Sequence, residues 1–379
     1  MRTKISAASM TLLLITGCSG TSEDPRPAPS SSAEKGLGDI VVDGKAVTGS
    51  KPSGNKKIPY QRTYTDGALY APITGYRSLA YGTSGLEAIY ESELTEAVGD
   101  VTTTIEPAAQ KAAFTALGAD KGAAVVLDAT NGDILAMVST PSYDPGAFAT
   151  NDPGSKAAWE KATGDEREPM LNRALREATD PGGTFGVVIA AAALEHGLYT
   201  SVDEATRGGR GRCAGATLRE ALTESCDDAL AAVADELGPD KVGETARQLG
   251  FGEAEAAVPI RAAESTYEDG AASATPLQMA RVAAALADEG RLAAPRLVRE
   301  AEEPSPKVVS VYTAESLLPL LRTTLQWSPA EAADGAALSW SLTTARTTDG
   351  RTLAVAARVE SDDAGLATRI TDRIAEAVS

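Results

Sequence analysis

The chain contains one histidine, His196, in 379 residues. That scarcity excludes a multi-histidine metal centre, and His196 sits just after an apolar run, where a helix C-terminus is the expectation. Positive charge is also in deficit: 35 Lys and Arg stand against 53 Asp and Glu, a formal net charge of −18. Phosphate backbones are repelled by such a surface, so nucleic acid is not an expected partner; the excess of carboxylates reads as solubility. No apolar run is long enough to span a bilayer comfortably, the one at residues 7–15 being too short. There are three cysteines, no internal repeats, and nothing that calls for a cofactor or a metal. No lysine follows Lys307, and neither Lys-Thr-Gly nor Lys-Ser-Gly occurs anywhere.

What is present begins with an export signal. Arg2 and Lys4 precede the apolar run, which ends in Ile15-Thr16-Gly17-Cys18. Small residues before a cysteine look like a bacterial lipobox, so residues 1–17 are expected to be a lipoprotein signal peptide. Cys18 would then be lipidated and hold the protein, outside the cytoplasm, to the cell membrane. An ordinary signal peptide or an uncleaved anchor is the alternative. Setting Cys18 aside leaves Cys213 and Cys226. In an exported chain an even pair suggests a disulfide, the alternative being two buried thiols.

Residues 18–38 are rich in Ser, Pro, Ala, Gly and Glu without periodicity and read as a flexible tether. A small N-terminal region is expected over 39–100. Within it the apolar runs at 40–47 flank Asp43-Gly44, a hairpin signal, the polar stretch 49–57 looks like a loop, and residues 60–91 hold most of the tyrosines. The larger domain, 101–379, opens on a β-branched strand at 101–105. Pro107 then starts a helix through Leu117. Strands at 123–128 and 134–139 flank Asn131-Gly132, again a hairpin. A helix begins at Thr275-Pro276, another spans 314–325, a strand spans 352–360 and a terminal helix spans 364–378. Strands at both ends with helices between them predict an α+β fold: an antiparallel sheet flanked by helices. Hydrophobic residues, at 43%, suffice for such a core.

Several ordered motifs carry a family resemblance. These are Thr104-Ile105-Glu106-Pro107 with Gln110, Ser139-Thr140-Pro141-Ser142-Tyr143-Asp144-Pro145, Asn172-Arg173-Ala174, Pro181-Gly182-Gly183-Thr184-Phe185-Gly186, and Thr275-Pro276-Leu277-Gln278-Met279-Ala280. From about Gly38 to the end the chain resembles penicillin-binding protein transpeptidases, in particular the penicillin-binding protein A group. The resemblance implies the fold shared by these proteins and serine β-lactamases, acyl transfer on peptidoglycan stem peptides, and partners among cell-wall synthesis proteins.

The same resemblance locates three catalytic elements, and each departs from the family pattern. The family's first element, S-x-x-K, has glycine at both ends here: Gly183 for the nucleophilic serine and Gly186 for the lysine that takes its proton. In the second, S-x-N, Ser225 keeps the serine position and Asp227 replaces the asparagine, so that an amide donor becomes a carboxylate. Thr217-x-x-Glu220 just before it is a capping-box pattern. The third element, K-[TS]-G, is absent. Either its strand is deleted and Trp340 aligns with the next family strand, or residues 341–344 fill its place without a cation; deletion fits the final hairpin better. The expectation is a catalytically degenerate member with a binding, scaffolding or regulatory role. The alternative is an active D,D-transpeptidase whose nucleophile has moved to Ser225 or Thr184.

Overall fold

The computed structural model describes residues 36–379, apart from 97, 151, 253–259, 300–303, 322–324, 332–336 and 364. The expected signal peptide, Cys18 and the tether up to residue 35 lie outside the described residues.

Strands β1 (Ile40–Val42) and β2 (Lys45–Ala46) pair across Asp43-Gly44. Both turn residues have positive φ, 47° and 71°, which a two-residue type I′ hairpin requires. The stretch 49–57, expected as a loop, instead supplies nearly all of β3 and the turn of an antiparallel ribbon of β3 (Thr48–Asn55) and β4 (Ile58–Tyr64). Its Gly, Pro, Ser and Lys residues are poor strand formers, and a ribbon wet on both faces carries no apolar alternation to betray it. Then come α1 (Gly67–Thr74), β5 (Arg77–Ser78), β6 (Gly82–Thr83), α2 (Gly85–Ile89) and α3 (Glu91–Thr95). Arg62 of β4 fixes these pieces together. Fully buried, it lies 2.6 Å from Glu87 of α2 and donates to the Gly38 carbonyl at 2.8 Å. Strand β7 (Val101–Thr102) pairs in parallel with β1, so the larger domain opens on the small region's own sheet.

Helix α4 (Pro107–Leu117) starts with proline at its first turn, where the missing N–H costs nothing. Its buried Gln110 donates to the carbonyls of Leu69 and Met137 and accepts from the Met137 N–H, satisfying its amide and tying α4 to its neighbours. The hairpin around Gly132 consists of β8 (Lys121–Asp128) and β9 (Ile134–Thr140). The helical middle contains α5 (Pro153–Gly164), α6 (Arg173–Arg176), α7 (Gly186–Glu195), α8 (Leu218–Thr223), α9 (Asp227–Leu237) and α10 (Pro239–Gln248). A small hairpin, β10 (Thr266–Glu268) and β11 (Ala271–Ser273), leads into α11 (Pro276–Ala287) and α12 (Val311–Leu321). The chain closes with β12 (Leu325–Glu331), β13 (Ala337–Arg346), β14 (Thr352–Glu360) and α13 (Leu366–Val378). The helix expected over 314–325 therefore stops at Leu321, and Leu325 opens a strand.

The central sheet runs β12-β13-β14-β8-β9, antiparallel throughout. Both its faces are covered, which is why β8, β9 and β14 are buried along nearly their whole length and their middles are continuous apolar runs instead of alternating. Val125, Leu127, Met137, Trp340 and Leu342 point into the core shared with α11 and α12. Val126, Leu135, Val138 and Val355 pack on Leu117 of α4 and Ile370 and Ile374 of α13. This is the expected α+β plan. Among the described residues no helix is long and apolar enough to cross a membrane.

Candidate active-site cleft

The segment with the two glycines enters its helix through a tight turn. The Gly182 N–H is held by the Asp180 carboxylate at 2.8 Å. Residues Gly182–Phe185 then form a 3-10 turn, and the α-helix starts only at Gly186, three residues later than a helix opening at Gly183 would. Phe185 anchors the turn, stacking on Tyr267 with ring centroids 5.3 Å apart and meeting Phe251 edge-on at 5.5 Å. Thr184 is buried and its hydroxyl donates to the Pro181 carbonyl at 2.6 Å. That hydroxyl is both committed and out of reach of a substrate.

Gly183 and Gly186 line an open cleft of about 800 Å³ between the turn, α9, α10 and the β10–β11 hairpin. Asp227, the first residue of α9, lines it too; Ser225 does not. Ser225 is half-buried and holds a left-handed backbone, φ 52°, which is uncommon for a non-glycine residue. The cleft thus brings together three of the four degenerate positions.

The lysine position is not merely vacated. A Cβ on Gly186 would lie 2.6 Å from Cδ1 of Leu230 and 3.1 Å from Cδ2 of Leu222. Leucines from α9 and α8 have filled the volume a longer side chain would need. Gly186→Lys is therefore expected to cost about 1–3 kcal/mol by overpacking. Leu230→Ala should cost less in that background than in wild type, because the two changes share one space. Urea titration of the four proteins checks both statements.

The cleft is also electrostatically one-sided. Asp180, Asp227, Asp235 and Asp269 line it, and no Lys or Arg does among the described residues. Burial, with Asp235 adding to it, raises the Tyr267 hydroxyl above its ordinary pKa and keeps it protonated.

The loop of the second element is fastened by a disulfide. Cys213 and Cys226 are bonded, with Cα atoms 5.7 Å apart and a sequence separation of 13. Helix α8 before it carries a complete capping box: Thr217 accepts from the Glu220 N–H at 3.1 Å and Glu220 from the Thr217 N–H at 2.8 Å. A loop of this length is expected to contribute about 3 kcal/mol in the chain-entropy model. Cys213→Ser/Cys226→Ser should lower the unfolding free energy by that amount, and reductant should change the variant's urea midpoint no further.

For the third element, deletion was the favoured alignment, and the structure corrects it. Trp340 and residues 341–344 both lie on β13, an interior strand. The sheet edge is occupied by β12, whose backbone runs beside the Gly182–Phe185 turn. Its sequence, Leu-Gln-Trp-Ser-Pro-Ala-Glu, has no lysine. A strand stands at the wall, therefore, and the cation does not.

His196 caps the C-terminus of α7, 3.4 Å from the Thr245 hydroxyl and 4.0 Å from the Glu244 carboxylate. No group of acidic, Cys or His residues among those described could hold a metal. The contribution of β10–β11 to the cleft went unread in the sequence, although Asp269-Gly270 was a usable hairpin signal.

The antiparallel sheet, its helical partner layer and this cleft between the Gly182–Phe185 turn, α9, α10 and β10–β11 define a transpeptidase-type domain. The description "Penicillin binding protein transpeptidase domain" matches residues 122–344, and the chain belongs to that family. "Penicillin binding protein A dimerisation domain" matches residues 37–105. Similar chains include the peptidoglycan D,D-transpeptidase PbpA of Mycolicibacterium smegmatis, 34% identical over 73% of this chain and 68% of that one. PbpA of Mycobacterium tuberculosis is 31% identical over 70% of this chain and 66% of its own. The chain thus spans about two thirds of the length of these relatives. The crystal structure of penicillin-binding protein A from M. tuberculosis superposes with a TM-score of 0.80 at 26% identity, covering 90% of this chain and 99% of that one. Its penicillin G acyl-enzyme complex does so with a TM-score of 0.80 at 25% identity, over 90% of this chain.

Proposed function

We propose that this protein is a pseudo-transpeptidase: a member of the family that binds, scaffolds or regulates at sites of peptidoglycan synthesis without performing acyl transfer. The observation that carries the reading is the filled lysine position, where Leu230 and Leu222 close on Gly186. A catalytic lysine could not return there without moving them. Gly183 offers no hydroxyl, and the carboxylates around it oppose the carboxylate that ends a stem peptide. Relatives named as D,D-transpeptidases, and a solved relative that forms an acyl-enzyme with penicillin G, mark the activity from which this chain departs. The same reading places the protein outside the cytoplasm, held to the membrane through Cys18 after removal of residues 1–17, with a tether over 18–38, a small region over 39–100 and the transpeptidase-like domain over 101–379. Its expected partners are cell-wall synthesis proteins, or peptidoglycan stem peptides held without covalent capture and only weakly against the carboxylates of the cleft.

The competing reading, a relocated nucleophile, loses Thr184 to its bond with Pro181 and finds Ser225 outside the cleft lining. Labelling with a fluorescent penicillin separates the two readings. The pseudo-transpeptidase gives no covalent band, and a relocated nucleophile gives a band that disappears on replacing Ser225 or Thr184 with alanine.

A further inference from the structure

The β3–β4 ribbon has properties that the cleft does not explain. In a chain of net charge −18, residues 44–65 contain no Asp or Glu. Lys56 and Lys57 are exposed at the outer end of the ribbon and Lys51 nearer its base, opposite Gln61, and none of the three makes an ion pair among the described residues. Beside them Ile58 is 40% exposed, one of few large apolar side chains to be so. Nothing lies within 4 Å of a side chain built on Gly54 at the tip. Only the base of the ribbon is clamped, by Arg62 and its bonds to Gly38 and Glu87. The fold therefore presents an open, basic end bearing one apolar side chain.

We propose that the end of this ribbon docks on a bilayer rich in anionic phospholipid. The ammonium groups of Lys51, Lys56 and Lys57 meet headgroup phosphates, and Ile58 enters the boundary between headgroups and acyl chains. Basic residues flanking an exposed apolar one are the composition that binds such an interface. A headgroup layer needs no preformed pocket, since lipid phosphates arrange themselves around lysines. The acidic body does not forbid the approach. Three or four residues of strand beyond the clamp, at about 3.4 Å each, carry Lys56 and Lys57 roughly 10 Å outward, about one Debye length at physiological salt. The small region that bears the ribbon directly follows the tether, so docking would set the height of the cleft above the membrane whether or not Cys18 is acylated.

The test uses the chain from Ser19 onward, which lacks the expected signal peptide and Cys18, so that neither the apolar run at 7–15 nor acyl chains play a part, and vesicles of phosphatidylcholine with or without phosphatidylglycerol. Flotation should show binding to the anionic vesicles, weakened by added salt. Reversing Lys51, Lys56 and Lys57 to Glu should lower the partition coefficient at least roughly a hundredfold, and Ile58→Ser roughly tenfold. Because these residues are exposed, unfolding midpoints should stay within error of the parent. A control reversing the exposed Lys156, Lys161 and Lys241 makes the same change in net charge elsewhere. The proposal is overturned if the ribbon variant binds like the parent, if the control loses as much as the ribbon variant, or if neutral vesicles bind equally well. An acidic protein partner for the ribbon would produce the first of these outcomes.

Discussion

Purified protein incubated with a fluorescent penicillin is expected to carry no covalent label at exposures that fully label an active family member. Capture requires a side-chain oxygen to attack the lactam carbonyl, the ring C–N bond to break, and the hydroxyl proton to pass through a base to the ring nitrogen. Gly183 supplies no oxygen and Gly186 no base. Loss of a serine nucleophile alone costs on the order of 10⁶ in rate, and losing its partners adds little more. Restoring the oxygen by Gly183→Ser should still leave labelling undetectable. The space for a lysine is occupied by Leu230, and a penicillin brings its own carboxylate to a cleft lined by four aspartates. Intact-mass measurement on wild type and Gly183→Ser checks both statements. A drug-sized mass increase on wild type, blocked by unlabelled penicillin, would end the pseudo-transpeptidase reading.

The elements that the sequence made legible are those whose pattern is local. Asn131-Gly132 between two apolar runs, Pro107 ahead of alanines and Thr275-Pro276 ahead of an apolar helix each contain their own start signal. The departures from the family pattern at Gly183, Gly186 and Asp227 are visible because a motif gives each residue a place. What fills the gaps was not visible. Leu222 and Leu230 come from two later helices, and only tertiary packing brings them to Gly186. The β3–β4 ribbon was missed because a strand wet on both faces needs no apolar repeat. Strand β12 was missed for the opposite reason: Leu325 prolongs the apolar run of α12 and so was assigned to the helix. With that strand unread, an edge substituted in place was taken for a deletion. The pairing of Cys213 with Cys226 followed from cell compartment rather than geometry, since sequence spacing alone cannot bring two Cα atoms to 5.7 Å.

The second large effect lies away from the cleft. Arg62 and Glu87 form an ion pair with both side chains fully buried, and removing one partner strands the other charge. Arg62→Met or Glu87→Leu alone should cost about 3–5 kcal/mol. The pair Arg62→Met/Glu87→Leu should cost much less than either, because no fully buried charge is orphaned, only the partly exposed Asp39 losing its contact with Arg62, and the new side chains are apolar. Recovery will be incomplete, since Arg62 also donates to the Gly38 carbonyl at 2.8 Å. The pH dependence has a definite sign. Burial raises the Glu87 carboxyl above its ordinary value of 4.5, and Arg62 only partly pulls it back. A raised carboxyl pKa means that the folded state holds its proton more tightly than the unfolded chain does. The associated stability is complete below pH 4.5 and drains away as pH rises through the folded-state value. The double variant lacks the Glu87 carboxyl, so this contribution to its deficit relative to wild type should shrink as pH is raised. Urea titrations of wild type, both single variants and the double variant at an acidic and a neutral pH test the prediction. Single-variant losses that add up in the double variant would mean that the two side chains act independently and that the charge pair does not hold β4 to α2.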